Sequence, residues 1–378
     1  MFIQVGTIVT ESTITLITDL NPGIVQDCTE YLLSKSEAKI YHHPLYLKVL
    51  SLESRQPFCI IISRNIEGKI NGLMPILRTK GIPFGPNRVI CSKRLSSLPR
   101  TPYAGVLADC KEAFNKILET AKELSEDYSG SLVQIKTDNF SNNYSESGFK
   151  SIEWRRTFIK EIPPKGEPIK FESRKDERDI LRDIRRANEH NVKFRNAESL
   201  DDLKNWYLLY LERMRFHRVP ARSFRFFKSC WEILRPAGLM DLHLTVIGDD
   251  NSYEILSGNF NYKFRDNYFG GFKAGNMAKS YLMFGDFLMF NEMQMIQEQG
   301  FRFYDLGEVP GGSHNLERYK RRWGAGTVQI YHHYYGSDTA EISENLELSG
   351  NENLTTKMWR LVPLPVTAAI GKLINARL

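Results

Sequence analysis

The sequence predicts an α/β (α+β) protein of two tandem domains, each with a mixed, mostly antiparallel central sheet flanked by helices. Three observations predict it. The 378 residues suffice for two or three domains. The order helix, strand hairpin, strand, helix, strand, strand occurs twice along the chain. A break with two prolines and a glycine, IPPKGEP, separates the two runs.

The elements follow in order. MFIQVGTIVTESTITLITDL alternates like a strand and has no basic segment ahead of its apolar residues, so a strand is expected and a signal peptide is not. YHHPLYLKVLSLES reads as a helix. QPFCIIISRN and KINGLMPILRTK are two strands around a polar turn, and RVICSKRLSSL is a third. CKEAFNKILETAKELSEDY is an amphipathic helix, and SLVQIKTDN and RRTFIKEI are strands. The second half opens with a basic helix in FESRKDERDILRDIRRANEHNVKFRNA. Ser199 and Asp202 then mark a helix start like a capping box, with Leu203, Trp206, Tyr207, Tyr210 and Met214 on one stripe. Ser223 caps a further helix in SFRFFKSCWEIL. MDLHLTVIG, EILSGNFNYKF and YFGGFKA form an antiparallel meander. SYLMFGDFLMFNEMQMIQEQG is a helix closed by Gly300, and FRFYDLG and TVQIYHHYYG are strands.

Composition narrows the function. The net charge of +6 suits phosphates, nucleotides, RNA or acidic lipid, with simple solubility as the plainer reading. The five cysteines show no CxxC spacing and read as free thiols in a reducing compartment. No run of roughly 18 apolar residues is present, so a cytoplasmic chain without a spanning helix is expected. His42-His43 and His332-His333 lack further ligands, so no metal is expected. There is no P-loop, GxSxG elbow or Rossmann fingerprint, and no DNA partner is expected. Arg178, Arg182 and Arg185 share one helix face; they suit an anion, or equally pairing with Glu177, Asp179 and Asp183.

The stretch YFGGFKAGNMAKSYLMFGDFLMFNEMQMIQEQGFRFYDLGEVPGGSHNLERYKRRWGA resembles the second domain of the FemABX-like and CelD-like branch of the GNAT N-acyltransferases. The marks are an aromatic-glycine strand, Tyr304-Asp305-Leu306-Gly307, a glycine loop, Tyr319-Lys320 and Trp323-Gly324. RDIRRANEHNVKF, RMRFHRVPARSFRFF and SLPRTPYAGVLAD resemble further segments of that branch, and the tail resembles members from polysaccharide export loci. The resemblance implies two GNAT-like domains, residues 1–162 and 163–340, the second holding the cleft, and a tail, 341–378, with an amphipathic helix. It implies transfer of an acyl or aminoacyl group from acyl-CoA or aminoacyl-tRNA, with no tightly bound cofactor. The acceptor would be an amino group on a cell-surface polysaccharide or peptidoglycan precursor, saccharide or lipid-linked, handled at the inner face of the membrane. Two departures stand out. KAGNMAKSYLMFG lacks the Arg/Gln-x-x-Gly-x-Gly/Ala turn that holds a CoA pyrophosphate, and no long helical arm for tRNA is present. A non-catalytic binding module is therefore the alternative.

Acyl transfer to an amine needs a proton acceptor, oxyanion donors and cations for the donor's phosphates. Asp305 and Glu308 end a predicted core strand, and Lys320 matches the family's cleft lysine; these three are the catalytic candidates. Tyr103, Arg222, Ser223, Tyr268, Lys273, Arg318, Tyr319 and Arg321 are the substrate-binding candidates. Each has a plainer reading: Asp305 as a loop cap, the arginines as a solvated face, Ser223 as a helix cap. Tyr268 reaches the cleft only if the strand register holds. The tail MWRLVPLPVTAAIGKLINARL either lies on a membrane or docks on the body.

Overall fold

A computed structural model describes residues 12–82, 91–128, 131–249, 252–336 and 362–377. Among them, the alternating strands join into one sheet of thirteen strands. The first half supplies β1 (Thr13–Ile17), β2 (Phe58–Arg64), β3 (Ile70–Thr79), β4 (Arg94–Ser96), the short β5 (Leu107–Ala108), β6 (Leu132–Thr137) and β7 (Lys150–Glu161). The second supplies β8 (Lys193–Asn196), β9 (Met240–Asp249), β10 (Ser252–Phe264), β11 (Asn267–Gly275), β12 (Phe303–Val309) and β13 (Gly326–Tyr335). The order is β1-β2-β3-β4-β6-β13-β7-β12-β11-β10-β9-β8, with β5 on β3.

That order reads alike from both ends. In each half a meander leads to a parallel pair, β4 with β6 and β11 with β12; the other ladders are antiparallel. The innermost strands are exchanged: β13 lies against β6, and β7 lies against β12. Each half thus completes its sheet with a strand of the other.

The helices cover both faces. α1 (Pro22–Ser34), α2 (Pro44–Ser54), α6 (Leu200–His217) and α7 (Phe224–Ser229) share one core that joins the halves, where Tyr46 and Leu47 meet the cluster of Trp206, Phe227 and Tyr262. On the opposite face α3 (Lys111–Asp127) packs on the first half. α5 (Arg174–Glu189) and α8 (Phe284–Glu298) pack on the second. The short α4 (Asn142–Glu146) precedes β7, α9 (His314–Arg321) links β12 to β13, and α10 (Leu364–Asn375) closes the described chain.

The capping box at α6 forms: Ser199 Oγ accepts from Asp202 N at 3.1 Å, and Asp202 Oδ2 accepts from Ser199 N at 3.1 Å. Ser223 differs from its expected role. It stands at the N-cap of α7, but its side chain makes no capping bond; Glu53 Oε1 instead accepts from its backbone N–H. The helix expected from Ser280 starts later. Met277–Leu282 is a 3₁₀ segment, and Met283 at φ 53° turns the chain before α8 begins at Phe284. Gly300, at φ 81°, follows the C-terminus of α8 as expected.

Candidate active site

The site lies where the second parallel pair parts. β11 and β12 are bonded only at Asn267/Phe303, Tyr268/Tyr304 and Phe269/Asp305. β11 then runs on to Gly275 and β12 to Val309 without pairing, and a cleft of about 820 Å³ opens between them. Its walls come from α6 (Tyr210, Arg213, Met214), the end of β11 (Gly271, Phe272, Lys273) and the start of α8 (Met283 to Asp286). β12 gives Leu306 and Glu308, and α9 gives Leu316, Tyr319 and Lys320.

A β-bulge shapes β11 beside this opening. Phe260 pairs with Phe272 and Asn261 with Gly270, so Gly271 is the extra residue. Phe269 and Phe272 then both reach the same core, although two residues, Gly270 and Gly271, separate them and a regular strand would put them on opposite faces. A bulge leaves its extra residue outside the ladder, which supplies the cleft with backbone polar groups. Only glycine fits there, because a Cβ would stand 2.7 Å from Phe260 O and 2.8 Å from the Tyr262 ring.

Lys320 is buried, and its Nζ donates to Gly307 O at 2.7 Å and Glu308 O at 3.1 Å. An ammonium has three donors, so one is left for the cleft. Burial pulls the lysine down to about 8, against the opposing pull of Asp305 and Glu308. Glu308 is half-buried, 3.9 Å from Arg155 Nη1, and burial pushes its carboxyl up. A raised carboxyl and a lowered ammonium on one wall suit proton exchange near neutral pH.

Asp305 does not line the cleft. Its two oxygens accept from Tyr103 Oη, from Thr157 Oγ1 and from Gly307 N at 2.8 Å. It thereby fixes Gly307, at φ 86°, whose carbonyl holds Lys320. Tyr103 reaches Asp305 from the first half, so both halves position the lysine.

The other candidates divide. Lys273 Nζ donates to Tyr319 Oη at 3.1 Å inside the cleft. Arg318 and Arg321 face an outer groove between α5 and α9, where Arg321 pairs with Glu317 at 3.0 Å. Arg222 is far from solvent: its Nη1 lies 2.5 Å from Glu53 Oε2, and its Nη2 donates to Arg100 O. It ties α2 to the α6–α7 connection, its charge taken up by Glu53 and turned away from the cleft. Tyr268 points into the core under α8 and donates to Asp241 Oδ2 at 3.2 Å; it shares a face with Lys273 but lies where β11 and β12 are still paired, short of the cleft.

Sequence reasoning missed Arg213. It lines the cleft with no hydrogen-bond or ion-pair partner among the described residues, and burial pulls its guanidinium down. The signal was a charge on the inward side of an otherwise aromatic stripe, in YLLYLERMRF.

Residues 174–321 match the acetyltransferase (GNAT) domain family. No curated protein matches the chain by sequence. Among solved structures, FemX is 14% identical with a TM-score of 0.61, over 84% of this chain and 96% of its own. The C-terminal domain of a putative lysylphosphatidylglycerol synthetase from Agrobacterium fabrum is 11% identical, TM-score 0.52, over 83% and 92%. A tandem GNAT protein from the clavulanic acid biosynthesis pathway is 9% identical, TM-score 0.51, over 86% and 98%. Residues 174–321 thus match a GNAT acetyltransferase domain, within a chain whose fold is similar to that of FemX and of a tandem GNAT protein.

Proposed function

We propose that the protein is an N-acyltransferase whose reaction runs in the cleft between β11 and β12. The observation that carries this reading is the parting of the parallel pair with Glu308, Lys320 and the Gly271 bulge on its walls. The donor is an acyl-CoA or aminoacyl-tRNA, and the acceptor an amino group on a saccharide or peptide precursor of the cell surface. The name of the lysylphosphatidylglycerol synthetase on the same fold supports the aminoacyl form of donor.

The acceptor enters as an ammonium and must first lose a proton, which Glu308 takes. The free amine attacks the carbonyl carbon, and the C–N bond forms. Backbone groups at the bulge and the third donor of Lys320 meet the oxyanion. On collapse the C–S or C–O bond to the donor breaks, and Lys320 gives the leaving atom its proton. The second proton from nitrogen restores Lys320, and Glu308 releases the first to solvent. Asp305 and Tyr103 take no part in bond making; they hold Gly307 and so the lysine.

The test is a mass-shift assay of amino-sugar and peptide acceptors against a panel of acyl-CoAs and charged tRNAs. The wild type should add one acyl or aminoacyl mass. Glu308→Gln should retain donor binding and lose turnover by about 10²–10³-fold, as expected for a general base. Donor binding without transfer to any amine, alike in wild type and variant, would leave a binding module in its place.

A further inference from the structure

The last helix of the described chain buries polar side chains and leaves apolar ones in solvent. α10 turns Thr367, Gly371 and Asn375 to the protein, one turn apart along a single face. Thr367 and Asn375 are each 3% exposed. Asn375 Nδ2 donates to Ala221 O at 2.8 Å, and a Cβ on Gly371 would stand 2.2 Å from that same oxygen. The helix is therefore seated by polar contacts and close backbone approach as well as by Leu364 and Ala368, which pack on the core that joins the halves. Its ends are tied as well. Arg215 Nη1 donates to Val362 O at 3.4 Å, and the amides of Lys80 and Gly81 donate to Arg377 O at 3.0 Å.

The opposite face is apolar. Val366 is 46% and Leu373 69% exposed, with exposed Ala369 between them. Val219, on the segment that seats the helix, is 43% exposed. A helix on a globular surface ordinarily buries its apolar stripe and wets its polar one. Here Val366 and Leu373 stay in solvent while Thr367 and Asn375 are buried.

The charge beside this face has one sign. Residues 353–378 contain four Lys or Arg and no Asp or Glu. Lys372 is exposed next to Leu373, and exposed Arg377 and Lys80 stand at the end of the helix. We propose that α10 docks the protein on a membrane surface containing anionic lipid. Val366 and Leu373 enter the headgroup region, and Lys372, Arg377 and Lys80 meet lipid phosphates. Two signals together suffice where a short apolar face alone would not. A second copy of this chain fits less well, because a twofold contact through the face would bring like charges together. Among the described residues no helix is long and apolar enough to cross a membrane, so the contact is peripheral. The inference does not rest on acyl transfer.

The test is co-sedimentation of the full chain with vesicles of equimolar phosphatidylglycerol and phosphatidylcholine, and with phosphatidylcholine alone. Binding should require the anionic lipid and weaken at high salt. Val366→Glu with Leu373→Glu should bind at least about tenfold less, having lost both anchors and gained two negative charges. Both side chains face outward, so the thermal midpoint should hold, which separates lost docking from lost folding. Absence of wild-type binding to the anionic vesicles, or equal binding by the double variant, would overturn the proposal. So would a wild-type dimer in solution that the double variant dissolves, for then a second copy covers the face.

Discussion

The two parallel pairs, β4 with β6 and β11 with β12, have the same topology and opposite contents. Beyond β11 and β12 the chain leaves an open cleft. Beyond β4 and β6, residues 97–104 fold back beside β6 and occupy the equivalent space. Ser97 N donates to Gln134 O, Lys136 N to Ser97 Oγ, and Ala104 N to Lys136 O. Lys136 Nζ then donates to Leu98 O at 2.5 Å and Thr101 O at 2.9 Å. Only a smaller cavity of about 440 Å³ remains farther on, at Thr137 to Asn139. Both halves thus set a buried lysine on two backbone carbonyls. The lesson is that a repeated fold need not repeat a site: the connecting segment decides whether the parted strands enclose a cleft or a plug.

The largest expected effect separates the two lysines by activity. Lys320→Ala removes a donor from the open cleft and should lower kcat/KM by about 10²–10³-fold, the usual cost of one oxyanion donor. Water can reach the Gly307 and Glu308 carbonyls it leaves, so thermal stability should change little. The pH profile sharpens the assignment. Activity should rise as pH climbs through the raised value of Glu308 and fall above about 8, where Lys320 loses its proton. Lys320→Arg should keep part of the activity and lose the alkaline fall, since a guanidinium stays charged. An unchanged alkaline limb in that variant would assign it to another group.

Lys136 should show the reverse. Lys136→Met orphans two buried carbonyls, at about 1–3 kcal/mol each, and regains part of that by removing a buried charge. The segment it holds contains Leu98 at φ 65° and Arg100 at φ 57°, a conformation side chains disfavour by about 1–2 kcal/mol per residue. We expect a net loss of about 2 kcal/mol in denaturant unfolding. Its pH dependence has a definite sign. Burial pulls Lys136 from 10.5 down to about 7, so between those values the unfolded chain binds more protons. Wild-type stability from this group therefore rises with pH across that window. The gap between wild type and variant should widen from about pH 7 to about pH 10. A gap that stays constant would mean that folding leaves Lys136 unshifted, a cation in both states across the window.

How much of this contrast was legible in the sequence depends on range. The helices and hairpins were, because capping at Ser199, the stop at Gly300 and the alternating strands act through near neighbours. The exchange of β7 and β13 was not, because β13 meets β6 across about half the chain and no local pattern records the partner. Lys320, singled out by a motif, and Glu308, by its place at a strand end, both line the cleft because one short segment carries them. Arg222 was misjudged because its partner, Glu53, lies in the other half. Tyr268 was misplaced because the cleft opens only beyond Phe269, where β12 leaves β11, and that parting depends on a partner strand about 35 residues away in the sequence.

The smallest effect tests the same contrast from its unsatisfied side. The plug leaves Lys136 with two acceptors, whereas Arg213 faces the open cleft with no partner among the described residues. Lys273 Nζ stands at the Tyr319 hydroxyl with Asp286 near it, whereas Arg213 lines the same cleft and has no ion-pair partner among the described residues. A half-buried guanidinium with no counter-charge costs stability in the empty protein. It is retained to advantage only if a substrate brings the anion. Arg213→Ala should therefore leave the thermal midpoint unchanged or raise it slightly, unlike Lys136→Met. In turnover it should raise KM for an anionic substrate by about tenfold, the value of one charge-assisted contact, with kcat little changed. A lowered midpoint with unaltered KM would make Arg213 part of the scaffold, and the open cleft would then differ from the plug in shape alone.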